Sequence, residues 1–410
     1  MNNDPERGTV LPEEPARQGS AKPRPRRKKG GRIWKWLLLA LVVLAVVLAL
    51  CVRLFPKTFN PDRLARTFRY MGLKDQSGYG EIRFDASSGA FAPFDDGIVT
   101  AGENGVTLFS LNGEQKSFAQ STLTTPVLRC GEDVSLCFSP GSSGVVAIAA
   151  GGEVLMDRTL DGPVLDADVS SDGFIGLITS ESGYKSVATV LNRSCEAVFR
   201  FSSRTRYLSA CAVGAQGKLL ALAALAEEEA SFHTVITLLD TGVELEDLEQ
   251  AGDQIPRADL GNRYVYDLFF LDANRICAVC QDELVFLDDK ANVLNTLDLS
   301  DSQLIDLSCG DREGLVLALG QSSAGESGRI LTLDADGDVQ AELELRDRIL
   351  SVSAAGKYVG VLTDTGLMIL DRTLQTYHQT QRTHSAVKAA VRPDGTAFFI
   401  HVNGATLYIP

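Results

Sequence analysis

A recurring unit of short apolar strands, an incomplete last unit and an unpaired strand ahead of the first predict an all-β chain. The fold class expected is a β-propeller of about eight four-stranded blades, with seven as the other count the spacing allows. An N-terminal strand closes the ring, and one transmembrane helix precedes it. The expected layout is a disordered basic tail over 1–33, the membrane helix over 34–55, a basic juxtamembrane helix or stalk over 56–77 and the propeller over 78–410.

The tail has five prolines, no apolar periodicity and a basic cluster from Lys22 to Lys35. The chain's net charge of −14 divides sharply along it. Residues 1–35 carry ten Lys or Arg against four Asp or Glu, whereas residues 75–410 carry 23 against 48. So acidic a globular part excludes a general phosphate-backbone binder, and nucleic acid is not an expected partner. A hydrophobic content of 45% excludes a wholly disordered chain.

Residues 36–52 carry no charge and are almost all Leu, Val or Ala. A helix of that length spans about 25 Å, and extending it over 33–55 reaches the ~30 Å hydrocarbon core when flanking Lys35 and Arg53 snorkel outward. Trp34 and Trp36, the only tryptophans, fall where an interfacial aromatic belt belongs. The membrane-interface residues are thus Trp34, Lys35, Trp36 and Arg53, and the lipid bilayer is the first expected partner. A cleaved leader is excluded by the long N-terminal stretch and the lack of an A-x-A site. Leu50 before Cys51 excludes a lipoprotein cysteine. Nine Lys or Arg over 17–35 outnumber five over 53–69, so the tail is expected in the cytoplasm and the propeller outside, in a single-pass cell-membrane protein. Next comes a short helix with Asn60 as its N-cap, Pro61 in its first turn, Gly72 as its stop, and Arg63, Arg66 and Arg69 at every third place.

From about residue 78, runs of Val, Ile, Leu and Phe alternate with Gly, Asp, Asn and Ser turns. A strand ending in Leu-Asp or Leu-Asn recurs at Leu111-Asn112, Leu191-Asn192, Leu239-Asp240, Leu287-Asp288, Leu333-Asp334 and Leu370-Asp371. Taking the first spacing as two units gives eight repeats of about 42 residues, the period of a four-stranded blade. The unit lacking the signature is the second, read from 145–151 and Glu153-Val154-Leu155-Met156. One unit shows the pattern: 303–309 as inner strand, then 315–319, 329–333 and the outer 339–345. The last unit has only three strands, 387–391, 397–402 and 405–409. Residues 79–84 (YGEIRF) supply its fourth and so remove the open sheet edges.

Motifs that carry chemistry are few. Cys130, Cys137, Cys195, Cys211, Cys277, Cys280 and Cys309 lie outside the membrane run, an odd number. Cys277-Ala-Val-Cys280 has redox-motif spacing but sits in a strand, where positions three apart point to opposite faces, so both read as buried. Cys130 and Cys137 flank the turn at 131–134 and are the one pair placed to oxidise. Asp334-Ala335-Asp336-Gly337-Asp338 starts like a calcium loop, but Val339 stands where the motif needs glycine, which leaves a hairpin turn. Ser170-Ser171-Asp172-Gly173 and Arg392-Pro393-Asp394-Gly395 read as turns between first and second strands. His233, His378, His384 and His401 have no metal-like spacing. The longest departure from the repeat is in unit four: Glu227-Glu228-Glu229 extends a hairpin, and residues 242–262 form an acidic excursion with Glu244, Glu246, Asp247, Glu249 and Asp253. It is a candidate binding loop. No catalytic, cofactor-binding or metal-binding residue is assigned, and no cofactor is expected.

The repeat resembles WD40- and quinoprotein-type propellers across most of residues 78–410. The layout of basic tail, single helix and acidic propeller is similar to an uncharacterised family of membrane-anchored propeller proteins of Gram-positive bacteria. It departs from WD40 repeats in having no Gly-His or Trp-Asp pair, and from quinone-dependent dehydrogenases in having no tryptophan within the propeller. The expected function is a non-enzymatic interaction or recognition scaffold at the cell envelope, bound to an envelope protein or glycan. The alternatives are a glycan hydrolase with carboxylates in the propeller funnel and a single-pass envelope sensor.

Overall fold

The computed structural model describes residues 38–39, 42–43, 65–66, 68–70, 82–84, 89–228, 231–243, 255–310, 314–321, 327–381, 383 and 385–410. Among them the strands form eight four-stranded antiparallel sheets, so the count is eight and not seven. The second unit, the one without the signature, is complete: Val127–Cys130, Val134–Phe138, Gly144–Ala149 and Val154–Thr159. Its signature is missing because Ala149 takes the turn position that Asp or Asn holds elsewhere, with Gly152 at positive φ three residues on.

The blades follow chain order, each beginning with its inner strand. These are Ala90–Phe94 in blade 1, Val127–Cys130 in blade 2, Val164–Val169 in blade 3 and Tyr207–Val213 in blade 4. Blades 5 to 8 begin with Val265–Phe270, Ser302–Cys309, Ile349–Ala355 and Lys388–Val391. The second strands are buried along both faces, as in Val134–Phe138 and Tyr358–Thr363, because each sheet is sandwiched between its neighbours. One apolar cluster joins Ala221 and Ile236 of blade 4 to Leu268 and Ile276 of blade 5, and similar clusters join other neighbouring blades. At about 1.5–3 kcal/mol per buried aliphatic side chain, these interfaces hold the ring together.

Closure follows the expected route with a shorter strand. Blade 8 takes Ile82–Arg83 as its outer strand, Ile82 opposite Ala405 and Arg83 opposite Gly404. Residues 79–81 lie outside the described residues. Gly404 is required there: its φ is +151°, and a Cβ would come within 2.1 Å of the Ile82 carbonyl oxygen. Tyr70 is fully buried among Ile82, Ile98, Phe398 and Ile400 between blades 8 and 1. Its hydroxyl donates to Asp394 Oδ2 at 2.6 Å and accepts from Arg392 Nη1 at 2.9 Å.

The Leu-Asp signature proves to be turn chemistry. Asp288 Oδ1 accepts the N–H groups of Lys290 and Asn292, and Asp334 and Asp371 repeat the pattern at the same offsets. Three residues after each acid stands a left-handed residue (Ala291, Gly337 or Leu374) that completes a bulged hairpin. In blade 1 the reading shifts by two residues, because Ser110 and not Asn112 occupies the acid's place. The excursion at 242–262 also needs correction: Arg257–Gly261 is the outer strand of blade 4, and Glu244, Glu246, Asp247, Glu249 and Asp253 lie outside the described residues. The extended hairpin is present, as the ten-residue strands Leu219–Glu228 and Ser231–Asp240.

Contacts divide the chain into the units Met1–Thr67 and Phe68–Pro410, and the propeller lies in the second. In the first, Leu38, Leu39, Val42 and Val43 are helical and exposed. Among the described residues no helix is long and apolar enough to cross a membrane. Most of the run at 34–55, including Trp34, Lys35, Trp36 and Arg53, lies outside the described residues.

Candidate functional site

An inner strand has a free edge facing the channel, and every second N–H along it lacks a partner within the sheet. At three blade interfaces the previous blade supplies that partner from a side chain. Asp166 Oδ2 of blade 3 accepts the Cys211 N–H of blade 4, and Asp168 Oδ2 accepts that of Val213, both at 2.9 Å. Asp306 and Ser308 of blade 6 do the same for Val352 and Ala354 of blade 7, at 3.0 and 2.9 Å. Ser351 and Ser353 of blade 7 accept from Ala389 and Val391 of blade 8, at 3.1 and 2.8 Å. A register shift just before Asp166, Asp306 and Ser351 turns each side chain toward the neighbouring blade.

Blade 5 has the same register shift but a different partner. Asp267 also follows a register shift, but its carboxylate reaches across the channel to blade 2. There Arg129 Nη2 donates to both of its oxygens, at 2.8 and 2.9 Å. Two residues on, where blades 3 and 6 place Asp168 and Ser308, blade 5 has Phe269, and the Arg129 guanidinium lies 5.8 Å from its ring centre. A departure from a repeated structural device is where function is to be sought.

Above this bridge the inner strands end around a cavity of about 590 Å³. Its walls are largely apolar, with Phe94, Phe269 and Phe270 the largest side chains, and Arg129 and Asp168 also line it. Asp95, Glu132, Asp272 and Arg392 stand around them. A concave apolar site with a few convergent polar groups is the usual form of a ligand pocket. Asp95 is held below the ordinary carboxylate range by Lys116 and the Gly151 N–H, against its partial burial.

The channel electrostatics are unbalanced. Burial pushes Asp168 up to about 7 and Asp166 up to about 6, against the opposing pull of Arg129 and of the blade 4 N–H groups. Burial also raises Asp267, although Arg129 pairs with it. Three carboxyls therefore share one guanidinium.

The residues singled out in the sequence mostly do other work. Cys277 and Cys280 are buried on opposite faces of one strand, in separate apolar clusters. None of the seven cysteines from Cys130 to Cys309 forms a disulfide, and Cys137 lies opposite Leu128 and not opposite Cys130. Desolvation pushes the buried Cys137 thiol up to about 12. Residues 334–338 form the hairpin turn, with Asp334 committed to its own backbone and Asp336 paired with Arg275. Among the described residues no group of three or more His, Cys, Asp or Glu is placed to hold a metal. His233 pairs with Asp259 at 2.8 Å, and His384 lies outside the described residues. Arg129, Asp166, Asp168 and Asp267 were not picked out by sequence reasoning. The available signal was polar residues at alternate positions of an inner strand, as in Asp166-Ala167-Asp168.

Two solved structures are similar to this chain. The C-terminal WD40 domain of Sif2 is similar with a TM-score of 0.51 and 10% identity, over 81% of this chain and 99% of that one. BamB from Moraxella catarrhalis gives a TM-score of 0.47 and 16% identity, over 81% and 96%. At such identities the likeness shows the fold alone. No curated protein matches the chain. A family model matches residues 70–395, from the docked Tyr70 to the Gly395 turn of blade 8. The chain therefore belongs to that family, described as Family of unknown function (DUF5711).

Proposed function

We propose that this chain is a membrane-tethered interaction scaffold, with the cavity at the channel mouth as its recognition site. The observation that carries the reading is the cavity itself, lined by residues of all eight blades, with Arg129 of the Arg129–Asp267 bridge among them. Rigid side-chain ladders between blades fix its walls, which suits recognition without rearrangement. The tether is the apolar run at 34–55 with Trp34, Lys35, Trp36 and Arg53 at its ends, and the charge bias around it favours an extracytoplasmic propeller. The partner is an envelope protein or glycan. The scaffold is proposed to be non-catalytic, because Asp166, Asp168 and Asp306 each give an oxygen to the next blade's backbone.

Photo-crosslinking residues placed at Glu132 and Asp272, in intact cells, test this reading. A discrete adduct from both positions, absent when the crosslinker sits on the outer strand at Glu342, supports it. Adducts from Glu342 alone refute it. External protease tests the orientation, since a propeller protected until lysis means the tether runs the other way.

A second reading, a glycan hydrolase with its carboxylates in this funnel, is favoured by one observation. Asp168 lines the cavity and is held protonated near neutral pH, as a general acid must be. Release of reducing ends from envelope glycans, lost in Asp168→Asn, distinguishes it from the scaffold.

A further inference from the structure

We infer that the cavity binds an organic cation, an amine or guanidinium carried on an apolar body, with Asp168 as its counter-ion; this rests on the cavity being the recognition site. The charge balance of the channel is the first ground. Arg129 gives one nitrogen to both oxygens of Asp267, so that pair is complete. Asp166 and Asp168 remain, and among the described residues Arg129 is the only cation acting on either. Of these two, Asp168 lines the cavity.

The second ground is the wall. Phe94, Phe269 and Phe270 line the same cavity as Asp168 and make its wall largely apolar, which suits a cation whose remaining atoms are hydrophobic. The third is the field at the entrance. Glu132 and Asp272 stand at the mouth, and the propeller region carries 48 acidic against 23 basic residues, so cations are drawn in and anions repelled.

The chemistry sets the pH response. Facing Asp168 are Arg129 from blade 2, Asp166 on its own strand, Cys211 from blade 4 and Asp267 from blade 5. Among these Asp168 has the carboxyl that is held up to about 7 and lines the cavity. A cation binds best once that proton has left, so binding strengthens as pH rises and releases a proton when it occurs below 7.

Full-length chain in detergent is titrated with benzamidine and benzylamine, and with the neutral isosteres benzamide and benzyl alcohol, by calorimetry. The expected result is that each cation binds about tenfold or more tightly than its isostere, and that Asp168→Asn abolishes the difference. Wild-type benzamidine affinity should also rise about tenfold between pH 6 and pH 8, a readout that stands even if the variant folds poorly. Equal binding of cation and isostere, or a pH-independent affinity, overturns the inference. Absence of binding by all four probes overturns it too, while rim crosslinking separately decides whether the cavity is the recognition site.

Discussion

Arg129 of blade 2 and Asp267 of blade 5 meet across the channel through two hydrogen bonds of 2.8 and 2.9 Å from a single guanidinium nitrogen. The pair ties together two blades that share no sheet and no neighbour, and its Arg129 lines the cavity. Its side chains keep 26% and 21% of their exposure, so it is partly and not fully desolvated.

Removing Asp267 takes both of these hydrogen bonds from Arg129 and leaves it only the charges of Asp166 and Asp168. Asp267→Ala is therefore expected to cost about 2–3 kcal/mol, and Arg129→Met in the same chain to recover part of that loss. Urea denaturation midpoints of the single and double variants measure it. Additive losses would mean the two side chains do not interact in solution.

Each inner-strand side chain that serves the next blade satisfies one edge N–H. Ser353→Ala strands the Val391 N–H and is expected to cost about 1–2 kcal/mol. Ser194→Ala, an exposed turn serine, is the control at about zero. Amide exchange at Val391 should accelerate in the first variant, and an unchanged rate refutes the ladder.

Closure depends on Gly404 and Tyr70. Gly404→Val forces a side chain onto the Ile82 carbonyl and should release the outer strand, lowering the melting temperature of the whole ring. Tyr70→Phe removes the hydrogen bonds to Asp394 and Arg392 but keeps the buried ring, so a loss of about 1–2 kcal/mol is expected. Unchanged melting in both variants rules out this seal.

Asp166 and Asp168, two of the three raised channel acids, make stability depend on pH in an uncommon direction. An ordinary aspartate in the unfolded chain titrates near 3.9, whereas Asp166 and Asp168 hold their protons up to about 6 and about 7 when folded. The folded state thus binds more protons between those limits. The stability these groups contribute is complete below about pH 4 and is lost as pH rises toward 7. Asp172 and Asp394, held below the usual range by hydrogen-bonding partners that outweigh their burial, act the other way, their contribution failing as pH falls. Asp168→Asn should therefore flatten the fall in melting temperature between pH 5 and pH 8. Parallel curves for wild type and variant refute the assignment.

The last unit's three strands and an orphan strand near Ile82 made ring closure legible from sequence. So did the Leu-Asp signature, since a turn acid acts on N–H groups only two and four residues away. The blade count needed coordinates, because a turn such as the one at Ala149 can be made by backbone alone and then leaves no signature. The cavity was not legible at all. Arg129 and Asp267 are 138 residues apart, and Asp166 reaches Cys211 over 45, distances at which nothing in the local pattern marks a pair.

Sequence by itself determined what local physics controls: the period of the repeat, the turns, the charge division and the apolar run at 34–55. Tertiary structure alone decided which polar residues of the inner strands serve as ladders and which form the bridge and the cavity. Those roles depend on what faces each side chain across the channel, and only closing the ring brings the two sides together.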